Sequence, residues 1–242
     1  MVGAGPLAVE GAYALHRLGL AVSIAVRGPH LLARHLDARA AALLSAYLTA
    51  RGIAVVAPAA VAALEGTGRV RTVALADGRR MSADIVLLCA GAAPEADLAR
   101  AAGLPVRRGI VVDDRLRAAP GVYAAGDAAE VRGAVSGLWP AAVRHGEVVA
   151  ANILGGDRTA GVDRTPILVK DIGLDVLAAG RLVAAATDRV VAEGDGTTYR
   201  RLLYAGDTLT GAILVGLPRE APTVLAALRS PVDGSSWMAA ST

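Results

Sequence analysis

Residues 2–19, VGAGPLAVEGAYALHRLG, decide the fold of this chain. Gly3, Gly5 and Ala8 form a G-x-G-x-x-A pattern, which joins a strand to a helix in dinucleotide-binding folds. The first glycine permits a tight turn, the second lets the backbone approach a pyrophosphate, and the alanine allows the helix to pack closely on the strand. The apolar spacing that follows predicts a helix ending near Gly19. The stretch therefore predicts a phosphate-binding turn at a helix N-terminus.

The segments after this turn alternate between strands and helices. Two apolar runs, residues 20–26 and 53–57, predict buried strands. Between them, residues 35–52 predict a helix that begins near Asp37 and ends at Gly52. This alternation predicts a doubly wound parallel unit, the context that a nucleotide-binding glycine turn requires. The alternative is a glycine-rich turn in an α/β domain that binds no nucleotide.

The pattern changes after the third strand. Short β segments around the turns GTGR and ADGR predict a β-meander. Residues 84–91, DIVLLCAG, predict a fully apolar strand that ends in a glycine turn. Residues 95–104 predict a short helix, and residues 140–156 predict a longer one. From residue 165 onward, short alternating runs predict a small antiparallel sheet with one helix.

The composition limits the function classes. The 242 residues carry a net charge of +3 without a basic cluster interleaved with aromatic residues, so no nucleic-acid partner is predicted. No apolar run reaches about 18 residues without a charge or a turn, so no membrane-spanning helix is predicted. Cys89 is the single cysteine, which excludes an internal disulfide or a Cys-x-x-Cys pair, and a reducing cytoplasm is the predicted compartment. The four histidines lack metal-ligand spacing, so no metal site is predicted.

The residue that ends the next strand bears on cofactor choice. An NAD site usually places Asp or Glu there, where it binds the ribose 2′-hydroxyl. This sequence has Val26 followed by Arg27, with His30 and Arg34 nearby. A guanidinium pairs with a 2′-phosphate, so these residues favour NADPH over NADH. The alternative is that Arg27 is a solvated residue at a strand end.

A second signal is VYAAGDAAE, residues 122–130, in which an apolar strand ends at Gly126 and Asp127. An aspartate at the carboxyl end of a strand is placed to hydrogen-bond a cofactor hydroxyl. Taken alone, the pair also fits an ordinary β-turn. The helix that follows begins at Trp139 and Pro140 and carries His145.

These pieces together resemble a known family. The motifs that carry the resemblance occur in order: VGAGPLAVE, RHLDARAAALL, LADGRRMSADIVLLCAGAAP, RGIVVDDRLRAAPGVYAAGD and GLWPAAVRHG. They are similar to the pyridine-nucleotide-dependent FAD oxidoreductases, in particular rubredoxin and ferredoxin reductases and the flavoprotein part of assimilatory nitrite reductases. The resemblance covers most of residues 1–160 and, more loosely, the C-terminal sheet.

The resemblance implies an α/β fold with a doubly wound parallel Rossmann-like sheet and a β-meander, a partial FAD-type domain and a small C-terminal α+β domain. It implies three domains: an NAD(P)-binding domain at 1–92, the C-terminal portion of a FAD-binding domain at 93–160, and an α+β interface domain at 161–238. The implied reaction is hydride transfer from the nicotinamide to FAD, with electrons passed to an unidentified acceptor protein. A homodimer is also implied.

The resemblance also assigns site residues. On the nicotinamide nucleotide, NAD(P)H, the implied residues are Gly3, Gly5, Leu7, Ala8 and Gly91, with Glu10 as a catalytic carboxylate near the nicotinamide. Arg27 joins this predicted site through the charge argument given above. On FAD, the implied residues are Gly126, Asp127, Trp139, Pro140 and Ala141, the last three at a helix start facing the flavin pyrimidine edge. A helix N-terminus there stabilises the charge of a reduced flavin.

The sequence departs from the family pattern in several places. The family's N-terminal FAD-binding segment, with its own G-x-G-x-x-G, is absent from the sequence. Pro6 stands where many members have an aromatic residue, and Glu95 stands where the family has asparagine. An alternative function is therefore a truncated or degenerate nucleotide-binding protein without catalytic turnover. A misread gene start, with the missing half encoded upstream, is a third possibility.

Overall fold

The computed structural model describes residues 1–163 and 165–229, which divide into two compact units. The first unit combines Met1–Gly91 with the C-terminal part from Pro166 onward, and the second is Ala92–Thr165. The last residues of the predicted C-terminal domain lie outside the described part of the chain. The three predicted domain boundaries therefore remain predictions, beside this division into two units.

The N-terminal part of the first unit contains a parallel sheet, two helices and a meander. Its elements are α1 (Pro6–Arg17), β1 (Ser23–Ala25), α2 (Ala38–Thr49), β2 (Ala54–Val56), β3 (Val61–Glu65), β4 (Thr72–Leu75) and β5 (Arg80–Ser82). β1 pairs in parallel with β2, and Val2 forms parallel bridges to both Ala25 and Leu88. Four extended segments thus lie side by side in the order Leu88, Val2, β1 and β2.

Both helices begin where the sequence predicts. Gly5 is the extended N-cap of α1, and Pro6 takes the first helical position, where its missing N–H costs nothing. Asp37 caps α2 by accepting a hydrogen bond from the backbone N–H of Ala40 at 2.9 Å. Gly19 and Gly52, which follow the two helix ends, have positive φ angles of 84° and 86° that glycine adopts without strain.

The predicted strand over residues 84–91 forms only in part. Leu88 makes an isolated bridge with Val2, while Ile85 and Leu88 have exposed fractions of 68% and 69%. The N–H of Val2 donates to Leu87 at 2.8 Å, and the N–H of Cys89 donates to Val2 at 2.7 Å. The predicted apolar strand thus forms only at this bridge, with several of its side chains exposed, because among the described residues only the short segment around Val2 pairs with it.

The second unit contains two short strand pairs and a long helix. Its elements are α3 (Asp97–Ala101), β6 (Ile110–Val112), β7 (Arg117–Ala119), β8 (Val122–Tyr123), a 3-10 turn (Gly126–Ala128), β9 (Ala129–Val131) and α4 (Trp139–Ile153). β6 pairs in parallel with β9, and β7 pairs antiparallel with β8. Leu116, Ala129 and Val148 contribute to the buried cluster of this unit.

The first unit is completed by a five-stranded antiparallel sheet and one helix, as predicted. The elements are β10 (Ile167–Val169), β11 (Val176–Gly180), β12 (Arg189–Gly194), β13 (Tyr199–Ala205), β14 (Thr208–Val215) and α5 (Ala221–Arg229). The strands run in the order β10, β11, β14, β13, β12. Leu202, Leu214 and Val224 pack in the buried cluster that joins this sheet to α5.

Hydrogen bonds tie this sheet to α2. The Tyr199 hydroxyl donates to Asp37 at 2.7 Å, and the Tyr47 hydroxyl donates to the carbonyl of Ile172 at 2.8 Å. Burial, followed by the bond to Asp37, raises the pKa of Tyr199 to about 12. Asp37 therefore caps a helix and receives a strand side chain at once. Among the helices of the described residues, none combines the length and apolar character needed to cross a membrane.

The structure confirms the predicted fold class. The parallel sheet with its meander, the separate unit Ala92–Thr165 and the C-terminal sheet with one helix are all present.

Candidate functional site

The glycine turn begins where two backbone segments approach closely. Gly3 has a φ of +147°, and its N–H donates to the carbonyl of Ala25 at 3.1 Å. A Cβ at Gly3 would lie 2.2 Å from the carbonyl oxygen of Cys89. Glycine is therefore required here by the close approach of two strands and by the backbone angle.

Gly5 has the opposite environment. Its backbone is extended, with φ −83° and ψ 178°, and a Cβ there would have no neighbour within 4 Å. Within the described part of the chain, the N–H groups of Gly5 and Leu7 have no hydrogen-bond partner. These free donors, the positive end of the α1 dipole and the open space together fit the approach of a phosphate group.

A cavity of about 500 Å³ lies beside this turn. It brings together four residues that the sequence predicts, Gly3, Gly5, Arg27 and Gly91. Gly91 has a φ of +96° and open space where a Cβ would be, so the backbone there also leaves room for a ligand. The other predicted residues of α1 do not line this cavity. Ala8 is fully buried, and Leu7 and Glu10 are not among the lining residues.

One wall of this cavity is basic. Its basic side chains are Arg27, His30, Arg34 and His35. Arg27 and Arg34 form no ion pair with any other residue that the structure describes. Burial, followed by the charge of Arg34, lowers the pKa of His35. We call these four side chains the basic wall, and they offer an anion two permanent positive charges.

Glu10 makes a contact that the sequence did not predict. Its Oε1 accepts a hydrogen bond from the backbone N–H of Lys170 at 2.9 Å. Lys170 follows β10 directly, so this carboxylate holds α1 to the end of a strand 160 residues away. The proposed place of Glu10 near the nicotinamide remains a prediction beside this observed contact.

The second unit contains the Gly126–Asp127 turn. Gly126 has a φ of +64°, and its N–H donates to the Nδ1 atom of His145 on α4 at 3.2 Å. The Asp127 carboxylate is exposed and has no hydrogen-bond or ion-pair partner among the residues described in this unit. A carboxylate in this position is available to accept hydrogen bonds from a cofactor hydroxyl.

The start of α4 lies against this turn. A Cβ on Gly126 would be 3.3 Å from the Cβ of Ala142, in the first turn of the helix. Trp139 is 81% exposed, Pro140 follows it, and Ala141 is buried. No side chain caps the helix, and among the described residues the N–H of Trp139 has no partner. The structure thus brings the predicted FAD residues of this unit together around one helix N-terminus.

Two features of these sites were not predicted from the sequence. His35 lines the cavity beside the glycine turn, although its position in the sequence gave no indication of a site. Glu130 is 3% exposed and accepts hydrogen bonds from the backbone N–H groups of Arg108 and Gly109 at 2.9 and 3.1 Å. A glutamate at an otherwise apolar strand position, three residues after the Gly126–Asp127 turn, was the available signal for it.

Comparison with known proteins identifies the family of this chain. The model of the pyridine nucleotide-disulphide oxidoreductase family matches residues 1–146. The chain is 30% identical to the assimilatory nitrate reductase electron transfer subunit of Bacillus subtilis over 96% of its own length and 31% of that protein. It is 28% identical to the rubredoxin-NAD(+) reductase of Pseudomonas putida over 96% of its own length and 62% of that protein. The chain thus spans about a third of the first of these relatives.

Solved structures share the fold. A ferredoxin reductase of Rhodopseudomonas palustris is 25% identical and superposes with a TM-score of 0.80 over 96% of this chain and 60% of that one. A FAD-dependent oxidoreductase of Desulfovibrio vulgaris is 25% identical, with a TM-score of 0.81 over 96% of this chain and 64% of that one. The motifs, the fold and the family match together lead to one conclusion: the chain belongs to the pyridine nucleotide-disulphide oxidoreductase family.

Proposed function

We propose that this protein is an NAD(P)H-dependent flavoprotein oxidoreductase, in which hydride passes from the nicotinamide to FAD and electrons go on to an acceptor. The observation that carries the proposal is the glycine turn. Gly5 leaves open space and free N–H groups at the N-terminus of α1, next to a cavity of about 500 Å³. Family membership supports the same reaction class.

The nucleotide half of the proposal rests on the main chain and on the basic wall. The N–H groups of Gly5 and Leu7 would bind the pyrophosphate, because they are unpaired donors at a helix N-terminus. Arg27 and Arg34 would face the ribose, where their charges favour the 2′-phosphate of NADPH. No carboxylate lines the described cavity to bind the 2′-hydroxyl of NADH in their place.

The flavin half rests on the second unit. FAD, when bound, supplies the ring that accepts the hydride. Asp127 would accept a hydrogen bond from the sugar-alcohol chain of the cofactor, since its carboxylate is exposed and unpartnered among the described residues. The N-terminus of α4, at Trp139 to Ala141, would place its positive dipole toward the pyrimidine edge. The residues present thus fit the flavin end of the cofactor.

The electron acceptor in the proposal is inferred from the relatives. Two of them are named as an electron transfer subunit and a rubredoxin-NAD(+) reductase. We extend this to a protein acceptor for the present chain. The proposal also includes a homodimer in the cytoplasm and the domain assignment 1–92, 93–160 and 161–238, which rest on the sequence. Each of these statements is part of the proposal.

The test is a calorimetric titration of the purified chain with NADPH and with NADH, together with its absorbance after incubation with FAD. We expect Arg27→Glu to weaken NADPH at least about 10-fold relative to NADH, because a charge-assisted hydrogen bond is lost and a carboxylate faces the phosphate. Arg69→Glu makes the same charge change in an exposed turn of the meander and serves as the matched control.

The outcomes separate the competing functions. A flavin absorption band and reduction of FAD by NADPH support the proposed oxidoreductase. Nucleotide binding without any uptake of FAD identifies instead a nucleotide-binding protein without turnover. An unchanged ratio of NADPH to NADH affinity in Arg27→Glu removes Arg27 from the cofactor site.

A further inference from the structure

His145 occupies an unusual place in the second unit. It is only 7% exposed although it stands in the middle of α4, and its Nδ1 atom lies 3.2 Å from the backbone nitrogen of Gly126. A backbone N–H can only donate, so Nδ1 must carry a lone pair and the proton of the neutral ring must be on Nε2. The hydrogen bond therefore exists only when the imidazole is neutral.

The group that this imidazole holds is the turn at the candidate flavin site. Gly126 adopts the left-handed conformation, with φ +64°, and opens the 3-10 turn that carries Asp127. Within the described residues, the Gly126 N–H has no other partner. This hydrogen bond orients the peptide plane before Gly126. The orientation of that plane in turn affects the backbone position of Asp127, from which its carboxylate projects.

We propose that His145 is a positioning residue for the flavin site: by accepting the Gly126 N–H, the neutral imidazole holds the Gly126–Asp127 turn in its ligand-binding form. The inference rests on the proposed function, because it takes Asp127 as a ligand of FAD. It adds a specific acceptor atom and a pH dependence to that site. Acidification, which protonates Nδ1, replaces the acceptor by a second donor and releases the turn.

The surroundings of His145 set the pH range in which this release occurs. Burial has the largest effect on the pKa of His145 and lowers it. The carboxylate of Asp163 raises this pKa, and the guanidinium of Arg144 lowers it. Asp163 comes from the segment after α4 and is itself held by Arg144 at 2.8 Å, so its charge is partly neutralised. Asp127 follows the hydrogen-bonded Gly126 and is exposed. The neutral ring is thus favoured at pH 7, and the turn is released on the acid side of the usual histidine range.

Substitutions at His145 distinguish positioning from simple packing. The carboxamide oxygen of His145→Asn accepts an N–H at every pH, so this variant is expected to keep the turn without any acid release. His145→Leu replaces the imidazole with an apolar side chain that offers no acceptor. We expect it to lose the turn at every pH, in the way that acid alone releases the wild-type turn. His16→Asn on α1 changes another histidine and serves as the control.

The experiment follows the turn and the flavin separately. Amide signals of Gly126 and Asp127 in two-dimensional NMR spectra are recorded between pH 8 and pH 5 for the wild type and the three variants. In the wild type they are expected to move together with the ring signals of His145. FAD affinity, measured by fluorescence titration, is expected to fall about 3- to 10-fold over the same range, which corresponds to the loss of one hydrogen bond. His145→Asn should show neither change.

Each result has a defined meaning. Gly126 signals that ignore the titration of His145 overturn the inference. Signals that follow it, with FAD affinity independent of pH, overturn the role of His145 in the flavin site. If the wild type takes up no FAD at any pH, the flavin part of the proposed function fails, while coupled signals still establish that His145 holds this turn.

Discussion

Gly3 and Gly5 stand two residues apart, yet adding a methyl group to each should have opposite consequences. Ala at Gly5 keeps an allowed backbone, with φ −83° and ψ 178°, and its Cβ points into open space. We expect Gly5→Ala to lower the free energy of unfolding by only about 0.5–1 kcal/mol, because alanine is a poorer N-cap than glycine. In the proposed site, its methyl group would stand where the pyrophosphate approaches.

The magnitudes follow from the contacts. Loss of one charge-assisted hydrogen bond from the turn costs about 1.5–3 kcal/mol, so Gly5→Ala should raise the Kd for NADPH about 10- to 150-fold. For Gly3→Ala, the Cβ would lie 2.2 Å from the Cys89 carbonyl oxygen, at a φ of +147°. Backbone strain of about 1–3 kcal/mol and overpacking of about 1–3 kcal/mol should together destabilise this variant by about 2–6 kcal/mol.

Denaturant unfolding and calorimetric titration with NADPH measure the two effects separately. Gly196→Ala, at an exposed loop position with open space around its Cβ, is the control and should change neither quantity appreciably. Wild-type NADPH affinity in Gly5→Ala would refute the assignment of this turn to the pyrophosphate. A Gly3→Ala variant as stable as the wild type would refute the argument from the close approach of Cys89.

Three further predictions follow from other contacts. Asp37→Ala should lower the free energy of unfolding by about 2–4 kcal/mol, since it removes a helix cap and leaves the buried Tyr199 hydroxyl without its acceptor; Asp37→Asn, which retains an acceptor, should cost less in the same denaturant assay. Burial lowers the pKa of both His35 and His145 in the folded state. Below the unfolded pKa of about 6.5, the unfolded state therefore binds more protons than the folded state, and the free energy of unfolding decreases. Thermal unfolding scans should therefore show stability falling as the pH drops below that value, and His145→Asn should reduce the fall. Cys89 lines the cavity beside the glycine turn, so saturating NADPH should slow its alkylation in a thiol-labelling assay. Equal rates with and without NADPH would contradict the binding of the nucleotide in this cavity.

Local signals in the sequence were sufficient for the turns and helix starts. The cap at Asp37 arises from an atom three residues away, and the G-x-G-x-x-A pattern marks Gly3 by itself, although the atom that a Cβ there would meet belongs to Cys89, far along the chain. The hairpin between β13 and β14 likewise follows from a short turn between two apolar runs. The fold class could be predicted for this reason, because it depends on a series of such local choices.

Long-range partners were beyond the reach of the same signals. The bond between Glu10 and the Lys170 N–H joins residues 160 positions apart, and nothing in the pattern of α1 indicates it. The apolar run at 84–91 has the composition of a buried strand, but its burial depends on what pairs with it, and the described residues provide only the segment around Val2. The bond from Gly126 to His145 depends on how α4 packs, which composition does not determine.

In the proposed nucleotide site, nucleotide affinity and the selectivity between NADH and NADPH depend on different groups. The groups at the glycine turn are main-chain N–H donors, which in the proposed site would meet the pyrophosphate shared by NADH and NADPH in the same way. The basic wall consists of side chains, which in the proposed site would meet the 2′-phosphate, the one group that differs between the two cofactors. A change at Gly5 should therefore weaken both nucleotides by a similar factor, whereas a change at Arg27 should alter their ratio. Selectivity in this site can thus change by substitution of surface side chains, without disturbing the turn on which binding depends.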